Sequence, residues 1–474
     1  LKNKKAIISL SLALTIICGT SSIYSAKAAG AVLDITKAQA VETATENSSK
    51  IAKVNTAIDT VNRNIVKYNE LSDEIDDLEE NLDKYRSSYE ELNSTENKMK
   101  YEQLKSIKAS YLQADAIPDE ATRNATISYI YSKCGYTEAQ IDALLQSISG
   151  NIAKLHAAGL KLKEAGLVDE NLAPKNLTAQ KYYDTFQYSK IMPPIIAQDM
   201  LDKANLQKSV IESAIDVKVK EAYDTILYAE DGLALTQKLY DTQFKEYNQL
   251  LSKYQLGLCS VVEKNVAEIG IKKLQLQLDS LKRQVENGKI QFNQALGVDS
   301  ETQYNFVDEK LSYSAPLSYS EYLSSAIANR AEILAAKITI DEKQENFDLA
   351  SKYFTETDLT YIKAKLELSK AKSDYGDVSK NIEMEIQKSY LDVKQKQSAK
   401  QLADMKLKQA NNQYNTAKIS YFEGVIDLSL LWNAELGVNQ AEMNDNKALR
   451  DYNNAFYELK QNCKTGTEYI MEGA

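Results

Sequence analysis

The chain has 474 residues with only 16 glycines and 5 prolines, too few to punctuate several sheet-rich domains, so helices are the expected element. A formal charge of −10, from 67 acids against 57 Lys and Arg, argues against nucleic acid as a partner. One histidine and four scattered cysteines argue against a disulfide framework or a metal centre built from those residues.

The N-terminal segment carries Lys2, Lys4 and Lys5, an apolar stretch from Ala6 to Cys18, and the small-residue site Ala26-Lys27-Ala28. That order predicts a signal peptide over 1–28 and an exported product, at the cell surface or in the cell envelope. Its removal takes four lysines and no acid, moving the charge from −10 to −14. Cys18 as an acylated cysteine is the alternative, with the bulky Ile17 in front of it standing against that chemistry. No later run approaches the ~20 apolar residues of a spanning helix.

From Ile51 the apolar residues step by three and four through Val54, Ile58, Val61, Ile65 and Tyr68, then Leu71, Ile75, Leu78, Leu82, Tyr85, Tyr89 and Leu92. This is a heptad seam, and it predicts a helix on the order of 60 Å long that must pack lengthwise against others. Residues from about 112 to 190 are broken by Pro118, Gly135, Gly150, Gly159, Gly166 and Pro174 into the short pieces of a helical head. Thr137 with Gln140 fits a capping box there. Pro193-Pro194 is expected to close the head, and a second long helix to run from Ala204 to Leu250 with Gly232 its one breaker.

The chain repeats itself. At a shift of 167, Tyr223 meets Tyr390, Tyr247-Asn248 meets Tyr414-Asn415, Gly257 meets Gly424, Ala267-Glu268 meets Ala434-Glu435, Gly270 meets Gly437 and Arg283 meets Arg450. At a shift of 282, Thr36 meets Ser318, Ala44 meets Ala326, Asn47 meets Asn329 and Ile51 meets Ile333, with Thr36 and Ser318 as helix N-caps. The difference, 115, is the size of an insertion in the first half. Each half then reads as a helix, a connection, a second helix, a turn at Gly257 or Gly424, and a third helix.

Chemistry is sparse. His156 lies in an alanine-rich helical stretch without a second ligand at metal spacing, and the glycines make no phosphate-binding fingerprint. The run Asp73-Glu74-Ile75-Asp76-Asp77-Leu78-Glu79-Glu80 reads as a solvated coiled-coil face. No catalytic residue, metal or cofactor is expected. The 30 tyrosines suit partly wet helix interfaces, with Tyr129, Tyr131, Tyr182 and Tyr183 of the head also open to a carbohydrate-binding reading.

This plan resembles the TolC family of outer-membrane efflux proteins over about 33–65 and 195–460. The residues that carry the resemblance are Leu256-Gly257-Leu258 followed by Val261 and Ala267, the helix ending Ala295-Leu296-Gly297, and the repeat starts Leu33-Asp34-Ile35-Thr36-Lys37-Ala38 and Leu317-Ser318. The resemblance implies a trimeric tunnel whose glycine turns dock a membrane-fusion adaptor of an inner-membrane transporter. Carried over, the docking turns are Leu256, Gly257 and Leu258, and Glu423, Gly424 and Val425. The second turn departs from the pattern by its Glu423. The family's acidic constriction falls on Leu430 and Asn433, with Glu263 the acid retained in the first half, and its arginine falls on Ile426. An aspartate ring is therefore not expected.

The family also inserts barrel strands between its long helices. The one candidate here, Thr360 to Ser369, alternates in polarity but also fits a helix stripe through Leu359, Ile362 and Leu366. An incomplete barrel cannot stand in lipid. The expected fold is thus all-α, with long antiparallel coiled-coil helices in two repeated halves, a small helical insertion and little or no barrel. The expected domains are 1–28, 29–65, an inserted coiled coil and head over 66–194, 195–300 and 301–474. The function implied is a conduit component of a tripartite efflux or type I-like secretion system. The alternative is a structural or adhesive coiled-coil surface protein without channel activity.

Overall fold

The computed structural model describes residues 33–308 and 316–468, so the expected signal peptide and Cys18 lie outside the described residues. The chain divides into two compact units. A head unit is built from Arg63–Gln198 and Asp348–Tyr361, and a repeat unit from residues 33–62, Asp199–Phe347 and residues 362–468.

In chain order the elements are β1 (Leu33–Ile35), α1 (Lys37–Glu46), α2 (Ser49–Asn93), α3 (Thr95–Asp115), α4 (Glu120–Cys134), α5 (Glu138–Glu164) and α6 (Ala179–Tyr182). A π-helical turn (Tyr183–Tyr188) leads into α7 (Ser189–Gln255), followed by α8 (Val261–Leu296), β2 (Tyr304–Phe306), α9 (Tyr319–Asn329), α10 (Ala331–Tyr353), α11 (Leu359–Phe422) and α12 (Leu428–Asn462). The fold is all-α. Among the described residues the strands are β1 and β2 alone, paired in parallel with Leu33 opposite Tyr304 and Ile35 opposite Phe306.

The heptad seam is the buried edge of α2: each of its apolar residues from Ile51 to Leu92 is buried or half-buried, whereas Val66, off the seam, is exposed. With 45 residues, α2 is about 68 Å long at 1.5 Å per residue.

In the head unit, Ile75, Leu82 and Tyr85 of α2 pack with Leu162, Leu167, Val168 and Phe186. A Cβ at Gly159 would come within 2.5 Å of the Tyr85 hydroxyl, which donates to the Leu172 carbonyl at 2.6 Å. Only glycine lets α5 approach that ring so closely. A second cluster of Leu104, Tyr111 and Ile141 joins α3 to α5. The capping box at Thr137 and Gln140 is present.

One boundary falls where the seam runs out, and three features differ from the sequence expectation. The long helix ends at Asn93, where Ser94 caps α3 through the Asn97 N–H at 3.2 Å, a break marked by Asn-Ser-Thr rather than by glycine or proline. Pro193 and Pro194 do not close the head but lie inside α7, close to its start. Proline there frees only the carbonyls of Ser189 and Lys190, next to the π-helical turn, and the buried Met192 and Ala197 hold the segment in place. The Thr360–Ser369 segment is helical, within α11. Its buried stripe is Ala364, Leu368 and Ala371, and the expected stripe of Leu359, Ile362 and Leu366 faces solvent. Gly232 does not interrupt α7; a Cβ there would meet the Met443 methyl at 2.8 Å, so it marks close packing against α12.

The repeat unit contains two equivalent cores. The first holds Ala40, Ala44, Val219, Ile226, Phe292 and Leu296; the second holds Tyr322, Ala326, Ile386, Val393, Leu459 and Cys463. Ala40 and Ala44 correspond to Tyr322 and Ala326 at the shift of 282, and the other four pairs at the shift of 167. Both capping boxes at the starts of the repeats are formed, by Thr36 with Gln39 and by Ser318 with Glu321.

Each half also breaks its first helix at the matched asparagines, a break the periodicity hid. Asn47 donates to the Leu296 carbonyl at 3.0 Å, closing the end of α8 on the α1–α2 break. In the second half Ser325 donates to the Cys463 carbonyl at 2.9 Å, and Ala331 N–H to Thr465 at 3.2 Å.

The symmetry fails at the charges. Arg450 is buried among Asp224 (3.2 Å), Asp231 (2.8 Å) and Asp308 (3.5 Å), with Lys37 also on Asp224 at 2.7 Å. Its counterpart Arg283 is exposed.

Candidate docking turns

The chain reverses at Gly257 because the end of α7 needs a residue in the left-handed region, and Gly257 adopts φ +67°. Its N–H bonds the Tyr254 carbonyl at 2.9 Å, and Leu258 N–H bonds that of Lys253 at 2.8 Å. Gly424 repeats this with φ +73°, bonding Tyr421 at 3.0 Å while Val425 N–H bonds Ser420 at 2.8 Å. A Cβ at either glycine would meet nothing within 4 Å. Backbone conformation alone therefore requires glycine at both positions.

Three residues beyond each glycine the next helix is capped. Ser260 accepts the Glu263 N–H at 3.1 Å and Glu263 accepts the Ser260 N–H at 2.7 Å; Asp427 accepts the Leu430 N–H at 3.0 Å. The Ser260 backbone N–H, aided by its hydroxyl, holds the Glu263 carboxyl below the usual range, and the Ser429 hydroxyl and Leu430 N–H do the same for Asp427. Glu263 and Leu430 thus occupy the same third helical position in the two halves. Asn433 is exposed one turn further along α12.

The side chains of the turns face outward. Leu256 is 74% exposed, Leu258 71%, Phe422 75% and Val425 73%, with Glu423 exposed between the last two. The two turns stand together at one end of the repeat unit. Ala267 and Ile271 of α8 pack on Trp432 of α12, beside Tyr247 and Leu250 of α7 and Leu428 of α12. The Trp432 indole donates to Glu246 at 2.5 Å, and Gln243 donates to Glu435 at 3.0 Å. Burial, then the charge of Glu246, pushes the Glu435 carboxyl up.

Sequence reasoning did not single out this polar layer. The only trace was the repeated Ala-Glu pair, whose half-buried glutamates have different partners: Glu268 is held down to about 2 by Lys264 and Lys272, while Glu435 accepts from Gln243.

His156 is exposed on α5, and no group of three potential metal ligands occurs among the described residues. Cys134, Cys259 and Cys463 are free thiols. No described helix is long and apolar enough to cross a membrane.

Fold and turns together define an all-α chain with a duplicated helical unit whose two glycine reversals share one end. No protein-family model and no curated protein matches the chain. Among solved structures its fold is similar to that of TolC-family outer membrane channels. The Campylobacter jejuni CmeC outer membrane channel is 14% identical, aligned over 60% of this chain and 70% of its own, with a TM-score of 0.47. The outer membrane protein VceC of Vibrio cholerae is 14% identical over 60% and 77%, with a TM-score of 0.46. The outer-membrane channel OprN is 13% identical over 60% and 73%, with a TM-score of 0.48.

Proposed function

We propose that the chain is an exported, TolC-like helical conduit component of a tripartite efflux or type I-like secretion system. It assembles as a homo-oligomer, a trimer by the resemblance, and docks a membrane-fusion adaptor through Leu256, Gly257 and Leu258 and through Glu423, Gly424 and Val425. The observation that carries this reading is the pair of matched glycine turns, rigidly capped and presenting apolar side chains to solvent at one end of the repeat unit. Exposed Leu256, Leu258, Phe422 and Val425 on capped turns are surface awaiting a partner rather than core.

Oligomerisation draws support from two further surfaces. Val262, Ile269 and Leu276 form an exposed stripe at heptad spacing on α8, and Met384, Leu391 and Leu402 form another on one face of α11. Copies arranged in a ring would cover both.

The test is the solution state of the chain from residue 29 onward, by light scattering and negative-stain imaging with and without detergent. A hollow trimer is the expected result. A monomer or a two-stranded rod in every condition would overturn the conduit and leave the surface-scaffold alternative. With an adaptor in hand, Gly257→Trp is expected to abolish its binding while leaving the helical content unchanged.

A further inference from the structure

On α7 of the repeat unit, Asp199 places its Oδ2 out of contact with water and without a hydrogen-bond partner among the described residues. An ionised oxygen so placed loses the hydrogen bonds of water and gains none in return. The ionisable groups that face it are Glu342 and Asp341 from α10, and Asp202 and Lys203 from its own helix.

Neither nearby lysine is committed to Asp199. Lys343 binds Glu342 at 2.7 Å and reaches Glu367 of α11 at 3.9 Å, and Lys203 approaches Glu342 at 4.0 Å. The lysines therefore gather on Glu342, and Asp199 is left turned toward a carboxylate with no donor of its own.

We infer that Asp199 and Glu342 form a proton-operated latch between α7 and α10. With both carboxylates ionised, the two helices carry a repulsion at this point that Lys203 only partly offsets. One proton taken from solvent by Asp199 removes the repulsion and lets its buried carboxyl donate toward Glu342, which keeps Lys343 as its own partner. Burial, followed by the charge of Glu342, lifts the Asp199 carboxyl to about 6, and Lys203 opposes the shift. The folded chain therefore binds a proton that the unfolded chain, near the ordinary 3.8, does not. Stability of the contact rises as pH falls through about 6 and is lost above it. The latch is independent of the docking reading and would hold in a scaffold as well as in a conduit.

The experiment is hydrogen–deuterium exchange on the whole chain from about pH 5 to about pH 8, corrected for intrinsic exchange and read at the α7 and α10 amides flanking Asp199 and Glu342. The wild type should gain protection on acidification with a midpoint near 6. Asp199→Asn should be protected at every pH, Glu342→Gln should move the midpoint down, and Lys203→Met should move it up. An Asp199→Asn chain that keeps the wild-type pH dependence would overturn the latch. So would midpoints for Glu342→Gln and Lys203→Met that do not separate in those directions.

Discussion

Two tyrosines show how differently a buried hydroxyl can act. Tyr223 is fully buried, and its hydroxyl sits 2.6 Å from the Ile35 carbonyl and 3.0 Å from that of Val307, tying the C-terminal end of the strand pair to α7. Tyr183 is equally enclosed, against Phe354, Tyr188 and Tyr353, and its hydroxyl has no hydrogen-bond partner among the described residues. Tyr223→Phe should cost about 1–3 kcal/mol, because buried carbonyls lose their donor, whereas Tyr183→Phe should be neutral or stabilising by urea denaturation. The glycines separate in the same way. Gly257→Ala meets only the strain of a positive φ, of order 1 kcal/mol, while Gly297→Ala meets the same strain and also the Asn47 Cβ at 2.9 Å, and should be the worse of the two.

At the scale of elements, the caps rather than propensity decide where the reversals fall. Ser260→Ala and Asp427→Ala should each destabilise by about 1 kcal/mol and fray the helix starts, read as faster amide exchange at the first turns of α8 and α12. The capping carboxyl of Glu263 has a lowered pKa, so its contribution is complete above its ordinary 4.5 and is lost as pH falls through the lower folded value. Amides at the start of α8 should therefore fray in acid, while Glu263→Gln should fray less steeply. Leu276→Glu and Leu391→Glu change exposed helix faces. Each should leave thermal stability nearly unchanged yet shift the oligomer toward monomer in light scattering, and an unchanged mass would remove those stripes as interfaces.

Across the whole molecule, the duplication is a statement about packing as much as about sequence. Ile226 and Val393, Val219 and Ile386, and Leu296 and Cys463 fill the same places in two cores, so Ile226→Ala and Ile386→Ala should each cost about 2–5 kcal/mol by independent loss of one core. Buried charge does not obey the repeat. Arg450 is held by three aspartates and Arg330 by Glu332 at 2.5 Å and Glu385 at 2.8 Å, and neither arginine has a repeat-related equivalent buried in the first half among the described residues. Removing Arg450 leaves the buried Asp224 to Lys37 alone, so Arg450→Met should destabilise more than Arg283→Met, whose side chain is exposed.

The amino-acid sequence by itself determined the helical class, the seam of α2, the capped starts at Thr36, Thr137 and Ser318, the two glycine reversals and the register of the repeat. All of these rest on local periodicity or on residues with special backbone freedom, and such signals act over a few positions. The tertiary structure alone decided the rest. It decided that Pro193 and Pro194 stay inside a helix, that Leu359, Ile362 and Leu366 face solvent while Ala364 and Leu368 are buried, and that Asn47 breaks the first helix to close on Leu296. It also decided which of two equivalent residues is buried, as with Arg450 against Arg283, and which partners Glu435 and Glu268 meet. Those outcomes depend on what a distant segment places opposite, and a one-dimensional pattern carries no record of that neighbour.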